Sequence, residues 1–215
     1  MTDIDGEAGR TARKRGQIAE AAMAVFLRNG YVGASMDEVA ALAGASKQTV
    51  YKHFTDKKQL FTHIVLATTA EVDALVKVVA ATLDEGDDPA KDLRRLARAF
   101  LDALLRPEVL RLRRLVIAEA DRFPELGRAW YEGGFERVLT TLTTCFERLA
   151  ARGRLSLDDA GLAADHLVGL LLWIPVNRAM FYGSEAGDVA DAERDRLADA
   201  AVAAFLRAYG PADGP

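Results

Sequence analysis

The apolar and polar positions between residues 34 and 46 predict a short helix followed by a tight turn. Ser35 and Glu38 form a capping-box pattern at its start, and Gly44 follows it where a left-handed residue ends a helix. Its apolar face recurs at the three- and four-residue spacing of a helix. That face comprises Met36, Val39, Ala40, Leu42 and Ala43.

A second helix is predicted over Lys47–Phe54, with Ser46 as its N-terminal cap. Val50 and Phe54 fall on one side of it, and polar side chains occupy the other faces. The polar side chains are Lys47, Gln48, Thr49, Tyr51, Lys52 and His53. Two helices joined by a short turn that contains glycine form the helix-turn-helix pattern, whose second helix enters the major groove of DNA. The alternative is a helical hairpin inside an all-helical core.

Lys57 and Lys58 fall in the first turn of the next predicted helix, which starts near Asp56. Cations at that end oppose the helix dipole by a few tenths of a kcal/mol each, up to about 1. A nearby phosphate would remove this conflict, because helix N-termini and lysines both attract anions. Asp56 together with solvent is the alternative.

The remaining periodicity predicts an all-α protein of about nine helices. Residues 1–10 are expected to be a disordered tail, and the first helix to end near Asn29, before Gly30. Arg10, Arg13, Lys14 and Arg15 form a basic arm, which either follows a phosphate backbone or is a solvated tail. The later helices are predicted from Asp56 to Leu83, and then, after a loop at Asp84–Pro89, over 90–105, 107–123, 124–151, 157–182 and 189–209.

Two of these helices carry helix-weakening residues. Gly133-Gly134 costs roughly 1 kcal/mol per glycine in mid-helix, which indicates a bend or a close approach of another element. Pro175 removes a backbone donor and is expected to kink the helix around it.

Charge is distributed unevenly along a chain whose net charge is −4. Residues 10–60 hold nine Lys or Arg against four Asp or Glu, a charge of +5, whereas residues 1–9 carry −3 and residues 61–215 carry −6. A basic head on an acidic body is typical of a DNA-binding module joined to another domain.

The sequence shows no sign of secretion or of a membrane segment. Cys145 is the only cysteine, in a helical apolar context that favours packing over redox sensing. The chain has no signal-peptide pattern, and its longest uncharged stretches are shorter than the roughly 20 residues needed to cross a bilayer. We therefore expect a cytoplasmic protein.

Five segments in fixed order closely resemble the N-terminal domain of the tetracycline-repressor-like (TetR/AcrR) transcriptional regulators. They are Ile18–Phe26, Asn29–Tyr31, Ser35–Ala40, Ala45–Phe54 and Asp56–Phe61. Residues 114–183 also look like the C-terminal domain of an AcrR-like branch. The resemblance implies a three-helix DNA-binding head over residues 11–60, a helical effector-binding and dimerisation body over 61–215, and a homodimer.

The family's DNA contacts fall on seven positions of this sequence. They are Ser35, Lys47, Gln48, Thr49, Tyr51, His53 and Lys57. In the family, the positions of Thr49 and Tyr51 commonly touch phosphates. Gln48 stands where many members have glycine, and either reads an adenine edge or bonds a phosphate.

The body contains candidates for an effector pocket and for a dimer interface. The pocket candidates are Phe100, Leu104, Trp130, Tyr131, Phe135, Trp173, Asn177 and Phe181. An apolar cavity with a few polar groups is the usual form of a small-molecule site, although the same residues are also compatible with a plain core. The last two helices are apolar on more than one side, as at an oligomer interface. The interface candidates are Leu162, His166, Leu170, Val202 and Phe205.

These features favour a ligand-responsive repressor that binds a palindromic operator as a dimer and releases it with a small lipophilic effector. The alternatives are an activator or constitutive binder whose body only dimerises, a helical-bundle enzyme, and a protein-interaction module. Catalysis, cofactors and metals are not expected, because phosphate-loop, Glu-x-x-His and His-Glu-x-x-His patterns are absent. The three histidines, His53, His63 and His166, are scattered.

Overall fold

The chain is all helical in a computed structural model that describes residues 3–83, 88–186 and 188–211. Within these residues, side chains are left undescribed at 3–8, 75, 76, 78–80, 82, 83 and 184. The helices are α1 (Asp3–Gly33), α2 (Met36–Leu42), α3 (Lys47–His53), α4 (Lys57–Leu83), α5 (Pro89–Leu104), α6 (Pro107–Glu119), α7 (Pro124–Trp130), α8 (Arg137–Ala151), α9 (Ala160–Tyr182) and α10 (Asp191–Tyr209). A π-helical turn, Tyr131–Glu136, joins α7 to α8, and a 3₁₀ turn, Gly183–Ala186, follows α9. The predicted all-α class is confirmed.

Most predicted helix ends agree with the structure, but the N-terminal tail does not. Gly30 breaks α1 with a φ of 71°, as its position predicted. Residues 3–10 were expected to be disordered and instead continue α1 as helix, while residues 1 and 2 lie outside the described part. Extending an existing helix adds a hydrogen bond for each residue that it orders, so this stretch without proline can join α1. The predicted loop at 84–87 also lies outside the described residues, and Asp88 caps α5.

The chain divides into two compact units. The first contains Met1–Thr68 and Leu115–Ala129, and the second contains Thr69–Arg114 and Trp130–Pro215. The first unit is therefore larger than the head predicted over 11–60, because it also includes a second segment of the chain. Both α4 and α6 contribute residues to each unit.

An aromatic cluster forms the centre of the first unit. Phe26 packs against Phe61 and Tyr31 with ring centroids 5.0 and 5.8 Å apart, and Tyr31 lies 4.8 Å from the ring of Phe123. Phe26, Tyr31 and Phe61 are all buried. Edge-to-face and offset pairs of this kind add about 0.5–1.5 kcal/mol each beyond the burial of their area. Phe123 thus explains why Leu115–Ala129 belongs to this unit.

The two lysines at the start of α4 find partners inside the first unit. Lys57 Nζ donates to the carbonyl oxygens of Ala34 and Val32 at 2.9 and 3.1 Å, and lies 4.8 Å from the ring centroid of Tyr31. Lys58 pairs with Glu125 at 2.6 Å. The carbonyls at the end of α1 are unsatisfied within that helix, so a cation is favourable there. The conflict with the α4 dipole is therefore resolved without a phosphate.

The core of the second unit lies among α5, α8, α9 and α10. Its large buried side chains include Leu93, Leu96, Leu101, Phe146 and Phe205. Cys145 is also buried there, as its apolar context predicted. At the surface, Arg98 of α5 binds Asp102 and Asp191 at 3.0 Å each, which links α5 to α10.

The glycine pair in the predicted 124–151 helix lies in the π-helical turn. At Gly134, a Cβ atom would stand 2.8 Å from Cγ2 of Thr69 on α4, closer than real Cβ contacts come. One turn further on, Arg137 pairs at 3.2 Å with Asp73, whose side chain is buried. The close approach, one of the two alternatives that the sequence left open, is confirmed at Gly134, and the glycine pair lies where the helix changes to π-helical winding.

Helix α9 is continuous through Pro175. The helix has 23 residues, and its most apolar 18-residue window has a mean hydropathy of 1.3, so it is long and apolar enough to cross a membrane, contrary to the estimate from its uncharged stretch alone. Core helices of soluble proteins pass the same test, and 44% of its most apolar window is buried inside the chain. Length and composition are therefore weak grounds for a membrane segment here.

We expect Lys57→Met to lower the free energy of unfolding by about 1–2 kcal/mol, because the carbonyls of Val32 and Ala34 lose a charged donor. Urea denaturation followed by circular dichroism measures this change. Lys52→Met is the control, since Lys52 is exposed on α3 and its side chain has no hydrogen bond or ion pair with any described residue. Equal stability of the two variants would contradict the proposed role of Lys57.

We expect Gly134→Ala to destabilise the second unit by about 1–3 kcal/mol, because the new methyl group collides with the stiff β-branched Thr69. Thr69→Ser in the same chain should restore most of that loss by removing Cγ2. Gly16→Ala on α1 has open space around its Cβ position and should be neutral or slightly stabilising. Thermal denaturation of wild type and these three variants tests the assignment, and a Gly134→Ala protein as stable as wild type would refute it.

Candidate nucleic-acid interface

Helix α3 is held against the rest of the head by two buried side chains and is capped at its N-terminus. Val50 and Phe54 are both completely buried. The Ser46 hydroxyl accepts a hydrogen bond from the backbone N–H of Thr49 at 3.1 Å, and the two hydroxyl oxygens lie 2.8 Å apart. The predicted cap and inner face are thus both present, and the rest of the short helix faces outward.

The outward face of α3 is polar and largely unengaged. Gln48, Tyr51 and Lys52 are exposed, and their side chains make no hydrogen bond or ion pair with any residue that the structure describes. Tyr51 is 49% exposed, which is high for an aromatic side chain. His53 is half-buried at the end of the helix. These side chains can meet base edges or phosphates without first breaking a contact within the chain.

The side chains of Lys47 and Ser35, two further predicted DNA contacts, already bond residues of α2. Lys47 pairs with Asp37 at 2.6 Å, with both side chains more than half exposed. Exposed ion pairs contribute only about 0–1 kcal/mol of stability, so Lys47 can exchange Asp37 for a phosphate at little cost. The Ser35 hydroxyl accepts from the N–H of Glu38 at 3.2 Å, and the Glu38 carboxylate accepts from the N–H of Ser35 at 3.3 Å. This is the predicted capping box.

The Glu38 carboxylate is held ionised by its neighbours. A hydrogen bond from the Asn29 side chain, with further bonds from Ser35, keeps the pKa of Glu38 below its ordinary value. A carboxylate with a lowered pKa supports the fold above its unfolded pKa and loses that support as the pH falls. The cap of α2 is therefore complete at neutral pH.

The basic arm is partly engaged inside the head. Lys14 Nζ donates to the carbonyl oxygens of Ala43 and Gly44, at 3.4 and 3.5 Å, in the turn between α2 and α3. The Arg15 guanidinium lies 4.9 Å from the ring centroid of Phe54. Arg10 and Arg13 are exposed. The arm is helical: Lys14 and Arg15 support the head around α3, whereas Arg10 and Arg13 face solvent.

The predicted pocket residues fall into different environments. Phe100 is buried in the core of the second unit, and Leu104 and Phe135 pack against that core. Trp130 is half-buried. In contrast, Tyr131, Trp173 and Phe181 are 51%, 69% and 84% exposed. The Asn177 amide donates to the carbonyl of Trp173 in its own helix at 2.7 Å. The described residues therefore do not gather this set around one enclosed cavity.

The predicted dimer residues divide in the same way. Leu162 and Leu170 are 49% and 48% exposed on α9, and His166 is exposed with its Nδ1 in contact with the Tyr209 hydroxyl. Val202 and Phe205 are buried in the core of their own chain, where no partner can reach them, so they are wrong as interface residues. Their apolar spacing on α10 reports packing against α9 and α5 rather than against another chain.

Sequence reasoning assigned Trp173 and Phe181 to a pocket, but they share a face of α9 with the two exposed leucines. With Ile174, which is 68% exposed, they continue an apolar stripe along the helix. The spacing of three and four residues was visible in the sequence. What it did not show is which of the two apolar sides of α9 the core covers.

No group of His, Cys, Asp and Glu in the described part of the chain is arranged to hold a metal ion. The histidines lie apart, His63 on α4 and His166 on α9. Burial, with a smaller effect from Arg15, keeps the pKa of His63 below its ordinary value. His63 is thus largely neutral at pH 7, and its ring packs 5.2 Å from that of Phe54.

Sequence profiles of two domains match the chain. Residues 18–64 match "Bacterial regulatory proteins, tetR family", and residues 91–211 match "AefR-like transcriptional repressor, C-terminal domain". The second match extends beyond residues 114–183, where the sequence suggested an AcrR-like body.

Relatives and solved structures agree with these matches. The activator FasR of Mycolicibacterium smegmatis is 39% identical over 89 residues, which is 41% of this chain and 39% of FasR. The alignment therefore spans less than half of that relative. A putative TetR-family regulator from Mesorhizobium loti is 51% identical, with a TM-score of 0.88 and coverage of 94% of this chain and 98% of the other.

The flavonoid-responsive regulator FrrA is 28% identical, with a TM-score of 0.73 and coverage of 93% and 98%. The exposed polar face of α3, the capped helices around it and these matches converge on one assignment. The chain belongs to the TetR family of DNA-binding transcriptional regulators.

Proposed function

We propose that this regulator is a ligand-responsive repressor, which binds a palindromic operator as a homodimer and is released by a small lipophilic effector. The observation that carries the proposal is the outward face of α3, where Gln48, Tyr51 and Lys52 are exposed without a partner in the described structure. A cytoplasmic location follows from that role. The C-terminal match to an AefR-like repressor domain supports repression.

DNA binding would use α3 in the major groove. Two copies would place their recognition helices about one turn of DNA apart, roughly 34–36 Å, on a two-fold operator. Thr49, Tyr51, Lys47 and Ser35 would contact phosphates, and Gln48 would reach a base edge or a phosphate. Lys57 would contribute positive electrostatic potential at long range. It would not be a freely movable contact to DNA, because its ammonium group already donates to two carbonyl oxygens.

The dimer would form through the apolar stripe of α9. Trp173, Ile174 and Phe181 are each more than two-thirds exposed, next to Leu162 and Leu170. Contiguous apolar surface of this kind marks an interaction site, and a two-fold axis lets one stripe cover its own copy. The dimer would then bury the side of α9 that the core leaves open.

Effector sensing would take place in the second unit. Similarity to the flavonoid-responsive FrrA supports a small-molecule response. An effector would favour a conformation whose recognition helices no longer match the operator, to the extent that it binds that conformation more tightly. Because α4 and α6 contribute to both units, each offers a continuous backbone between sensor and head.

Thr49→Ala and Tyr51→Ala should each weaken binding to the promoter region of the chain's own gene by about tenfold, since each removes a hydrogen bond to phosphate. A gel-shift titration at fixed salt measures this. Thr140→Ala is the control, because Thr140 is exposed on α8 and its hydroxyl donates to the carbonyl of Glu136. If both head variants bind like wild type, the interface is assigned wrongly.

Gln48→Ala separates the two roles of the glutamine. If Gln48 reads a base, the substitution should relax the preference for adenine at one operator position. Binding to the preferred sequence alone should then weaken, by about 1–3 kcal/mol. Loss of a phosphate bond would weaken all sequences alike. Selection of randomised operators with both proteins distinguishes these outcomes, and an unchanged preference and affinity would remove Gln48 from the interface.

Trp173→Glu with Ile174→Glu should convert the dimer to monomers, because two buried charges without partners oppose closure of the interface. Sedimentation velocity at micromolar concentration measures the change. Ile117→Glu is the matched control, since Ile117 is 57% exposed on α6, outside the stripe. A wild-type chain that sediments as a monomer would refute the dimer.

An activator, or a constitutive binder whose body only dimerises, is the second candidate, and similarity to the activator FasR favours it. A promoter-reporter assay separates repression from activation. A thermal-shift screen with apolar compounds separates a sensor from a body that only dimerises, because a ligand that binds the folded state raises its melting temperature.

A further inference from the structure

Arg113 occupies an inward position on α6 in the second unit. Its neighbours one turn back along the helix surface are Val109, which is buried, and Leu110, which packs against the core. The adjacent Leu112 is completely buried. Residues three and four apart share a helix face, so the half-buried side chain of Arg113 lies along apolar surface.

Other arginines of this region have partners, whereas Arg113 has none among the described residues. Arg106 pairs with Glu71, Arg111 with Glu108, and Arg114 donates to the carbonyl of Ala179 at 2.9 Å. Arg113 forms no ion pair or hydrogen bond with a described residue. Burial lowers the pKa of its guanidinium, and no carboxylate offsets the effect.

The guanidinium of Arg113 is partly desolvated but is not fully enclosed by the protein. Among the described residues, fully enclosed side-chain atoms that make no hydrogen bond occur at Asp73, Asp92 and Arg194, and not at Arg113. Its five donors are therefore within reach of a small group that enters from outside the core. A partly buried charge without a partner is costly, and such a group in a native structure calls for an explanation, of which a bound ion or ligand is one.

The position of Arg113 fits the sensor region. The bond from Arg114 to Ala179 sets this turn of α6 beside the end of α9 that carries Asn177 and Met180. Met180 packs against the core of the same unit. A ligand at Arg113 would thus meet apolar side chains together with one fixed cation.

We infer that Arg113 binds the anionic group of the effector, and that the effector is a lipophilic anion such as a long-chain carboxylate. This inference rests on the proposed ligand-responsive function. A carboxylate accepts two parallel hydrogen bonds from a guanidinium, and such charge-assisted pairs are about twice as strong as neutral ones. The apolar surface around Arg113 would hold the hydrocarbon part.

The test compares three probes by isothermal titration on the full-length protein: dodecanoate, dodecan-1-ol and acetate. Wild type should bind dodecanoate about tenfold or more tightly than the alcohol, and acetate should not bind measurably. Arg113→Gln should remove the preference, and Arg113→Lys should keep part of it. Arg111→Gln, an exposed arginine on the same helix, should behave as wild type.

Equal binding of dodecanoate and dodecan-1-ol by wild type would overturn the inference, as would absence of dodecanoate binding or an unchanged preference in Arg113→Gln. Thermal denaturation supplies a separate readout. Arg113→Gln should melt at the same temperature as wild type or a few degrees higher, because it removes a desolvated charge. A fall of several degrees would show that Arg113 has a structural partner and would also overturn the inference.

A gel shift with the same probes separates this inference from the proposed function. Dodecanoate should release wild-type protein from DNA and should not release Arg113→Gln at the same concentration. Binding that depends on Arg113 without any release of DNA would support the anion site and contradict the ligand-responsive repressor. Release of both proteins by dodecan-1-ol would support the repressor and contradict the anionic effector.

Discussion

The packing of Phe54 against the inner side of α3 is the interaction on which the proposed DNA-binding surface depends. Its buried ring contacts His63 of α4 and the guanidinium of Arg15 on α1, so three helices meet at one side chain. A helix as short as α3 is not stable by propensity alone, since isolated helices below about 12 residues are marginal in water. Phe54 and Val50 supply that stability from the inner side, which leaves the outer side free for polar residues with no structural task.

The cations of the head serve the fold and the ligand to different degrees. Lys14 and Lys57 donate to carbonyl oxygens at helix ends and turns, where the backbone lacks internal partners. Lys47 is in an exposed pair and can change partner at small cost. The excess of +5 over residues 10–60 thus gives this segment a positive potential suited to DNA, while only a few of its charges have no partner among the described residues.

The second unit shows a tension between packing and function. Its core is closed around side chains such as Phe146 and Phe205, and Gly134 lets the π-helical turn approach Thr69 more closely than any larger residue could. Against this background, two features have no structural partner among the described residues: the apolar stripe of α9 and the guanidinium of Arg113. Each costs stability in the isolated chain, and each is the basis of one of the two binding proposals made above: a second copy of the chain at the stripe and an anion at Arg113.

Local rules made much of this protein predictable. The capping box at Ser35, the helix end at Gly30 and the buried side of α3 depend on residues within a few positions of one another, so they could be read from spacing. The glycine pair Gly133-Gly134 also indicated a bend or a close approach, because glycine in mid-helix is costly unless space demands it. Tertiary structure decided what stands at the other end of each contact. Thr69 opposite Gly134 and the carbonyls that receive Lys57 are remote in sequence, and no local pattern names them. Tertiary structure likewise decided that Phe205 lies in the core while Trp173 faces out, since both faces of an apolar helix have the same period and only the neighbouring helices determine which one is covered.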